Sequence, residues 1–174
     1  MTLRFLYTYR EYIMKVYLLR HADALPENQE TILTDQERPL SEEGRAQVAK
    51  LADAVKRNGT SFDLVLTSPL VRCRETAEGL LLHLGRTAAE ANVLDLLAPG
   101  GSTKKLMKYL RTLEVNSILL VGHNPDIQEH IAYLIGDKAA QIKVVKGALA
   151  CVNCEASPRK AEGQLVYLIT PEWL

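Results

Sequence analysis

The sequence predicts an α/β fold: a three-layer α/β/α sandwich around a mostly parallel sheet, with an antiparallel hairpin at its C-terminal end. Three observations predict it. Apolar, β-rich runs at Val16–Leu19, Asp63–Thr67 and Ser117–Val121 are each followed by a segment of helical periodicity. Unalternated apolar runs suit strands buried on both faces, as parallel sheets require. The tail departs from this rhythm: two strand-like runs, 148–153 and 164–170, flank a polar loop containing Pro158. The chain of 174 residues is long enough for one core and short for two.

Each element has a local cause. Residues 1–13 are interrupted by Arg4, Arg10 and Glu11 and lack the continuous apolar stretch of a secretory signal. They read as an N-terminal extension ahead of a single domain spanning 14–174. The first apolar run ends in Arg20-His21, and a polar loop follows from Ala24 to Pro39. Ser41 can cap a helix whose first turn carries Glu42 and Glu43, where the dipole favours acids. Val48, Leu51, Ala52 and Val55 supply its apolar face, and Asn58-Gly59 stops it. After the second run, Ser68 reads as a cap with Pro69 at the first helical position. Ala77, Leu80, Leu81 and Leu84 form the stripe of that helix, and Gly85 ends it. A short strand near Ala91–Leu94 follows. Ser102 caps a helix carrying Leu106, Tyr109, Leu110 and Leu113, and Pro125 opens a last one that ends near Ile135.

Composition excludes several function classes. Lys plus Arg and Asp plus Glu each number 21, so the chain lacks the basic excess of a generic nucleic-acid binder. No apolar run reaches the roughly 18 residues of a membrane-spanning helix. The three cysteines, an odd number, suggest a reducing compartment, and a cytoplasmic protein is expected. Cys151 and Cys154 have the spacing of a redox or zinc pair. In a strand, however, residues three apart face opposite ways, and two further zinc ligands are lacking. Structural thiols are the expected reading. His83, at a helix end, and His130, within a helix, are expected to be structural. Lys104-Lys105 reads as a solvated helix face, with a docking patch for an acidic partner as the alternative.

The chemistry is expected where the three central strands end. Arg20-His21, Ser68-Pro69 with Arg72, and Gly122-His123-Asn124-Pro125 each follow an apolar run. Ligands of open α/β sheets bind beyond the carboxyl ends of the strands. Such a fold gathers two histidines and two arginines from remote segments to one edge, beside helix N-termini that favour anions. Guanidinium groups match phosphate or carboxylate oxygens in fork geometry. A neutral imidazole is a nucleophile toward phosphorus, and nearby positive charge keeps it neutral. A second imidazole, if protonated, can stabilise the transferring oxygens. The sequence shows no glycine-rich phosphate loop and no obvious carboxylate cluster for magnesium, so neither metal nor cofactor is expected.

The motifs Leu19-Arg20-His21-Ala22, Ser68-Pro69-Leu70-Val71-Arg72 with Thr76-Ala77, and Val121-Gly122-His123-Asn124-Pro125 resemble the histidine phosphatase superfamily, also called phosphoglycerate mutase-like. The run Arg20 to Ala24 and Arg38-Pro39-Leu40-Ser41 resemble its SixA group of phosphohistidine phosphatases. The resemblance covers roughly Lys15 to Thr170. It implies that His21 is the phosphorylated nucleophile and that Arg20 and Arg72 grip the phosphoryl oxygens. It implies that His123, with Asn124 beside it, completes the substrate pocket, and that Arg38 is a further phosphate contact, with anchoring of its loop as the alternative. Ala22 stands where the family usually has glycine. The general acid of many members has no clear counterpart: Asp95, in the matching stretch 93–101, and Asp23 are the candidates, and there is the alternative of no acid at all. A missing acid suits a phosphoramidate, whose imidazole leaving group can be protonated on its own ring. The implied activity is a metal-independent phosphatase acting on phosphohistidine of a protein, such as a histidine phosphotransfer domain, and releasing phosphate. The alternatives are a phosphatase for small phosphate monoesters and a catalytically silent phosphate-binding module. Neither nucleic acid nor membrane is expected as a partner.

Overall fold

The computed structural model describes residues 13–27, 34–136, 140–155 and 157–174. Within these residues six strands form one sheet: β1 (Ile13–Arg20), β2 (Leu64–Thr67), β3 (Ala91–Val93), β4 (Ser117–Gly122), β5 (Leu149–Glu155) and β6 (Gly163–Ile169). Their spatial order is β3-β2-β4-β1-β5-β6. The first four strands in that order pair in parallel, and β5 and β6 add antiparallel. The predicted sandwich with its C-terminal hairpin is therefore observed. β1 begins at Ile13, one residue before the expected domain start, and the rest of the N-terminal extension, residues 1–12, lies outside the described residues.

Among the described residues four helices cover the sheet: α1 (Glu42–Arg57), α2 (Val71–His83), α3 (Thr103–Leu110) and α4 (Asp126–Ile135). On one face, Leu51 and Val55 of α1 and Ala77 and Leu80 of α2 pack with Leu19 and Val121 of the strands. On the other, Leu106 and Leu110 of α3 and Ile127 and Ile131 of α4 pack with Leu18 and Leu120. Neighbouring strand residues thus feed opposite cores, as the two-residue repeat dictates. β4 is buried along its whole length. No helix among the described residues is long and apolar enough to cross a membrane.

Cys151 joins the core beside α1 and α2, and Cys154 the core beside α3 and α4. All three cysteines are buried free thiols.

Two helix starts differ from expectation. α2 begins at Val71, with Leu70 at the N-cap, so Ser68 does not cap it. α4 begins at Asp126, and Pro125 occupies the cap position. Ser41, by contrast, caps α1 as predicted: its Oγ accepts from the Gly44 N–H at 3.0 Å and donates to Asp23 Oδ2 at 2.7 Å. Gly44 has no room for a side chain, since a Cβ there would lie 2.0 Å from the Asp23 carbonyl oxygen. The start of α1 is thereby pressed against the loop leaving β1.

Candidate active site

The parallel register brings the three strand ends level. Leu19 and Thr67 both lie opposite Val121, so the next residues of β1, β2 and β4 emerge together at the carboxyl edge. The chain stays tied there: the His21 N–H donates to the Gly122 carbonyl at 2.9 Å, and the Ser68 N–H to the Val121 carbonyl at 3.0 Å. The rings of His21 and His123, remote in sequence, meet with centroids 5.3 Å apart at an interplanar angle of 60°. Both rings, and Arg72, are buried, with relative exposures of 7%, 3% and 5%.

His21 is held in one tautomer. Its Nδ1 lies 2.8 Å from the Ala22 carbonyl, which can only accept, so Nδ1 carries the proton and Nε2 presents its lone pair. Burial lowers its pKa to about 3, helped by His123, Arg72 and Arg20 and opposed by the bond to Ala22. Burial likewise lowers His123 to about 4; Arg72 and Arg20 add to this, and Asp35 opposes it. Both imidazoles are therefore neutral at pH 7. His123 Nε2 lies 2.8 Å from Ser68 Oγ and 3.4 Å from Cys73 Sγ. The backbone around His21 is braced from α2: Ala22 N–H donates to Thr76 Oγ1 at 3.1 Å, and Thr76 Oγ1 donates to the Arg72 carbonyl at 2.6 Å.

Two arginines flank the rings electrostatically. Arg20 Nη1 donates to the Val144 carbonyl at 2.9 Å. Arg72 Nη1 donates to the Asp35 carbonyl at 2.7 Å, and its Nη2 to Asp35 Oδ2 at 3.1 Å. The Nε of each arginine is buried without a hydrogen-bond partner. Buried donors are seldom left unpaired, and two such N–H groups near neutral imidazoles are suited to hydrogen-bond an anion.

The remaining candidates occupy different positions. Arg38 reaches Arg72 through a shared carboxylate: its Nη1 donates to Asp35 Oδ1 at 2.8 Å, and its Nε to the Leu25 carbonyl at 2.6 Å. Asn124 Nδ2 donates to the Val144 carbonyl at 3.0 Å, and its Oδ1 is buried without a partner. Asp23 accepts from Lys146 Nζ at 2.6 Å and from Ser41. Burial opposes its charge, but these bonds outweigh burial and hold its pKa below the usual carboxylate range. Such a carboxylate has no proton to give at neutral pH. Asp95 is exposed in a 3-10 turn, Asp95–Leu97, after β3, and makes no hydrogen bond to His21, Arg20, Arg72 or His123. Sequence reasoning missed Asp35, the Val144 carbonyl and the bond from Ser68 to His123. Asp35 opens a 3-10 turn of three residues, Asp35–Glu37, and Val144 lies in a loop, neither with a periodic pattern, and Ser68 carried a stronger capping signal. No group of His, Cys, Asp and Glu that could hold a metal gathers among the described residues.

Residues 16–98 match the model of the histidine phosphatase superfamily (branch 1). The chain is 30% identical over 129 residues to the phosphohistidine phosphatase SixA of Escherichia coli (strain K12), across 71% of this chain and 73% of that protein. It is 29% identical over 167 residues to an uncharacterized protein of Picosynechococcus sp., across 92% of this chain and 99% of that protein. A solved structure of the protein histidine phosphatase SixA complexed with tungstate superposes with a TM-score of 0.79 at 27% identity, covering 91% of this chain and 97% of the other. Family model, curated relative and solved fold agree with one another: this chain belongs to the histidine phosphatase superfamily.

Proposed function

We propose that this protein removes the phosphoryl group from phosphohistidine on a partner protein, through a covalent phosphohistidine on His21. The observation that carries the reading is the pair of unpartnered buried Nε donors, of Arg20 and Arg72, beside a neutral His21 whose Nε2 lone pair is free. The tungstate complex of the SixA structure supports it, because tungstate is a tetrahedral oxyanion.

In the first step His21 Nε2 bonds to phosphorus as the bond to the substrate imidazole breaks. The substrate ring, protonated from solvent on its other nitrogen before the step, keeps that electron pair and leaves as neutral imidazole. Arg20 and Arg72 hold the phosphoryl oxygens, and His123 meets the developing charge. In the second step water attacks phosphorus, the bond to Nε2 breaks, the water loses a proton to solvent, and phosphate leaves. Asp23 is held as a carboxylate by Lys146 and Ser41. This favours a leaving group that needs no carboxylic acid, which a phosphoramidate provides. Three free buried thiols accord with a reducing, cytoplasmic setting.

A second reading, a phosphatase for small monoesters, is favoured by one observation. A cleft of about 560 Å³ runs alongside Arg20 and Asp23, bounded by Gln47, Lys50 and Lys146. The test is a substrate panel of a phosphohistidine-bearing phosphotransfer domain, sugar phosphates, nucleotides and aryl phosphates. Phosphate release from the phosphoprotein above all esters is expected. High turnover on one small ester with none on phosphohistidine decides for the second reading.

A further inference from the structure

Asp35 makes three bonds of one kind. Its backbone carbonyl and Oδ2 take the two terminal nitrogens of Arg72, and its Oδ1 takes Nη1 of Arg38. Arg72 is thus gripped end-on by a fork of two oxygens, the geometry in which a guanidinium is most firmly oriented. The grip leaves Arg72 Nε unpartnered in a buried position, so the donor still open is not one that Asp35 occupies. Asp35 takes the end-on pair of Arg72 donors, and the side-on edge through Nε stays available to an anion. The burial contrast agrees: the side chain of Arg72 is 6% exposed and that of Asp35 is 40% exposed, so the carboxylate sits outside the arginine. Burial opposes the charge on Asp35, but the bonds from Arg38 and Arg72 outweigh it and hold its pKa below the usual range.

We propose that Asp35 is a positioning residue of the phosphoryl pocket, clamping Arg72 from outside so that its Nε faces the anion, with Arg38 bracing the clamp. The inference rests on the reading of Arg72 as a phosphoryl ligand. A long arginine side chain left to sample several rotamers loses effective concentration at the site, and supporting hydrogen bonds recover it.

The test measures inorganic phosphate affinity by calorimetry and kcat and KM on one substrate, in Asp35→Ala, Asp35→Asn and Arg72→Ala, with the melting temperature of each. Asp35→Ala is expected to weaken phosphate roughly tenfold, about the worth of one charged hydrogen bond. Its KM should rise with it, while its melting temperature stays near that of the wild type. Asp35→Asn, which keeps one side-chain acceptor and the backbone carbonyl, should recover most of the loss. Phosphate bound by Asp35→Ala as tightly as by the wild type, or more tightly, while Arg72→Ala loses it, overturns the clamp and leaves the pocket reading standing. Wild-type phosphate affinity in Arg72→Ala overturns the pocket reading itself.

Discussion

The bond from His21 Nδ1 to the Ala22 carbonyl decides which nitrogen of the ring can react. Burial then decides its charge. With pKa values of about 3 and about 4, His21 and His123 stay neutral well below the point where a free imidazole titrates. In the unliganded protein, the ring carbon and nitrogen shifts of both should be flat from pH 8 to about 5 by NMR. A midpoint near 6.5 for either ring contradicts the burial argument. Ser68 acts on the partner ring: its Oγ, bonded to His123 Nε2, fixes that ring's orientation. Ser68→Ala should lower kcat roughly fivefold with little change in the unfolding midpoint, since one oriented hydrogen bond is worth about 1 kcal/mol. An unchanged kcat would remove Ser68 from the machinery. That the His21 and His123 rings would meet was readable because each directly follows an apolar strand. Asp35 was not, because its link to Arg72 spans a loop whose sequence has no period to read.

Helix α1 is anchored to the site through its first turn. Ser41 caps it, bonds Asp23, and Gly44 lets the turn approach the Asp23 carbonyl. A Cβ at Gly44 would collide with fixed backbone rather than a flexible tip, so Gly44→Ala must shift either the helix or the loop after His21. A loss of about 1–3 kcal/mol in urea unfolding is expected, typical of overpacking. A loss under about 0.5 kcal/mol would show that the turn yields freely. The apolar runs and helical stripes were sufficient to place all four helices and the hairpin, since burial on both sheet faces forces those patterns. Helix starts were less well determined. Ser68-Pro69 carries a capping signal, yet the Ser68 Oγ lies against His123 and the helix waits until Val71. Tertiary hydrogen bonding to a buried imidazole outweighed a local preference worth about 1 kcal/mol.

Across the whole molecule, three buried histidines set the acid sensitivity. His21, His123 and His130 all have pKa values lowered by burial, to about 3, 4 and 4. Below about pH 6.5 the unfolded chain takes up protons on these rings that the folded chain does not. Stability is therefore fully present above that pH and falls as pH drops toward 4. Asp23 and Asp35, with lowered pKa values, add their own loss only at lower pH, through the carboxylate range. The urea midpoint should fall steadily from pH 7 to pH 4.5, and a flat profile would contradict neutral burial of the three rings. The sheet topology is what turns distant motifs into one pocket, and its parallel order followed from the strand–helix alternation. The central claim, that this pocket aims His21 Nε2 at phosphorus, is tested most directly by trapping the enzyme during turnover. With radiolabelled phosphohistidine protein and millisecond quenching into alkali, an acid-labile, alkali-stable label should appear on His21 and be absent from His21→Ala. A label on another residue, or one that persists in His21→Ala, would contradict the account.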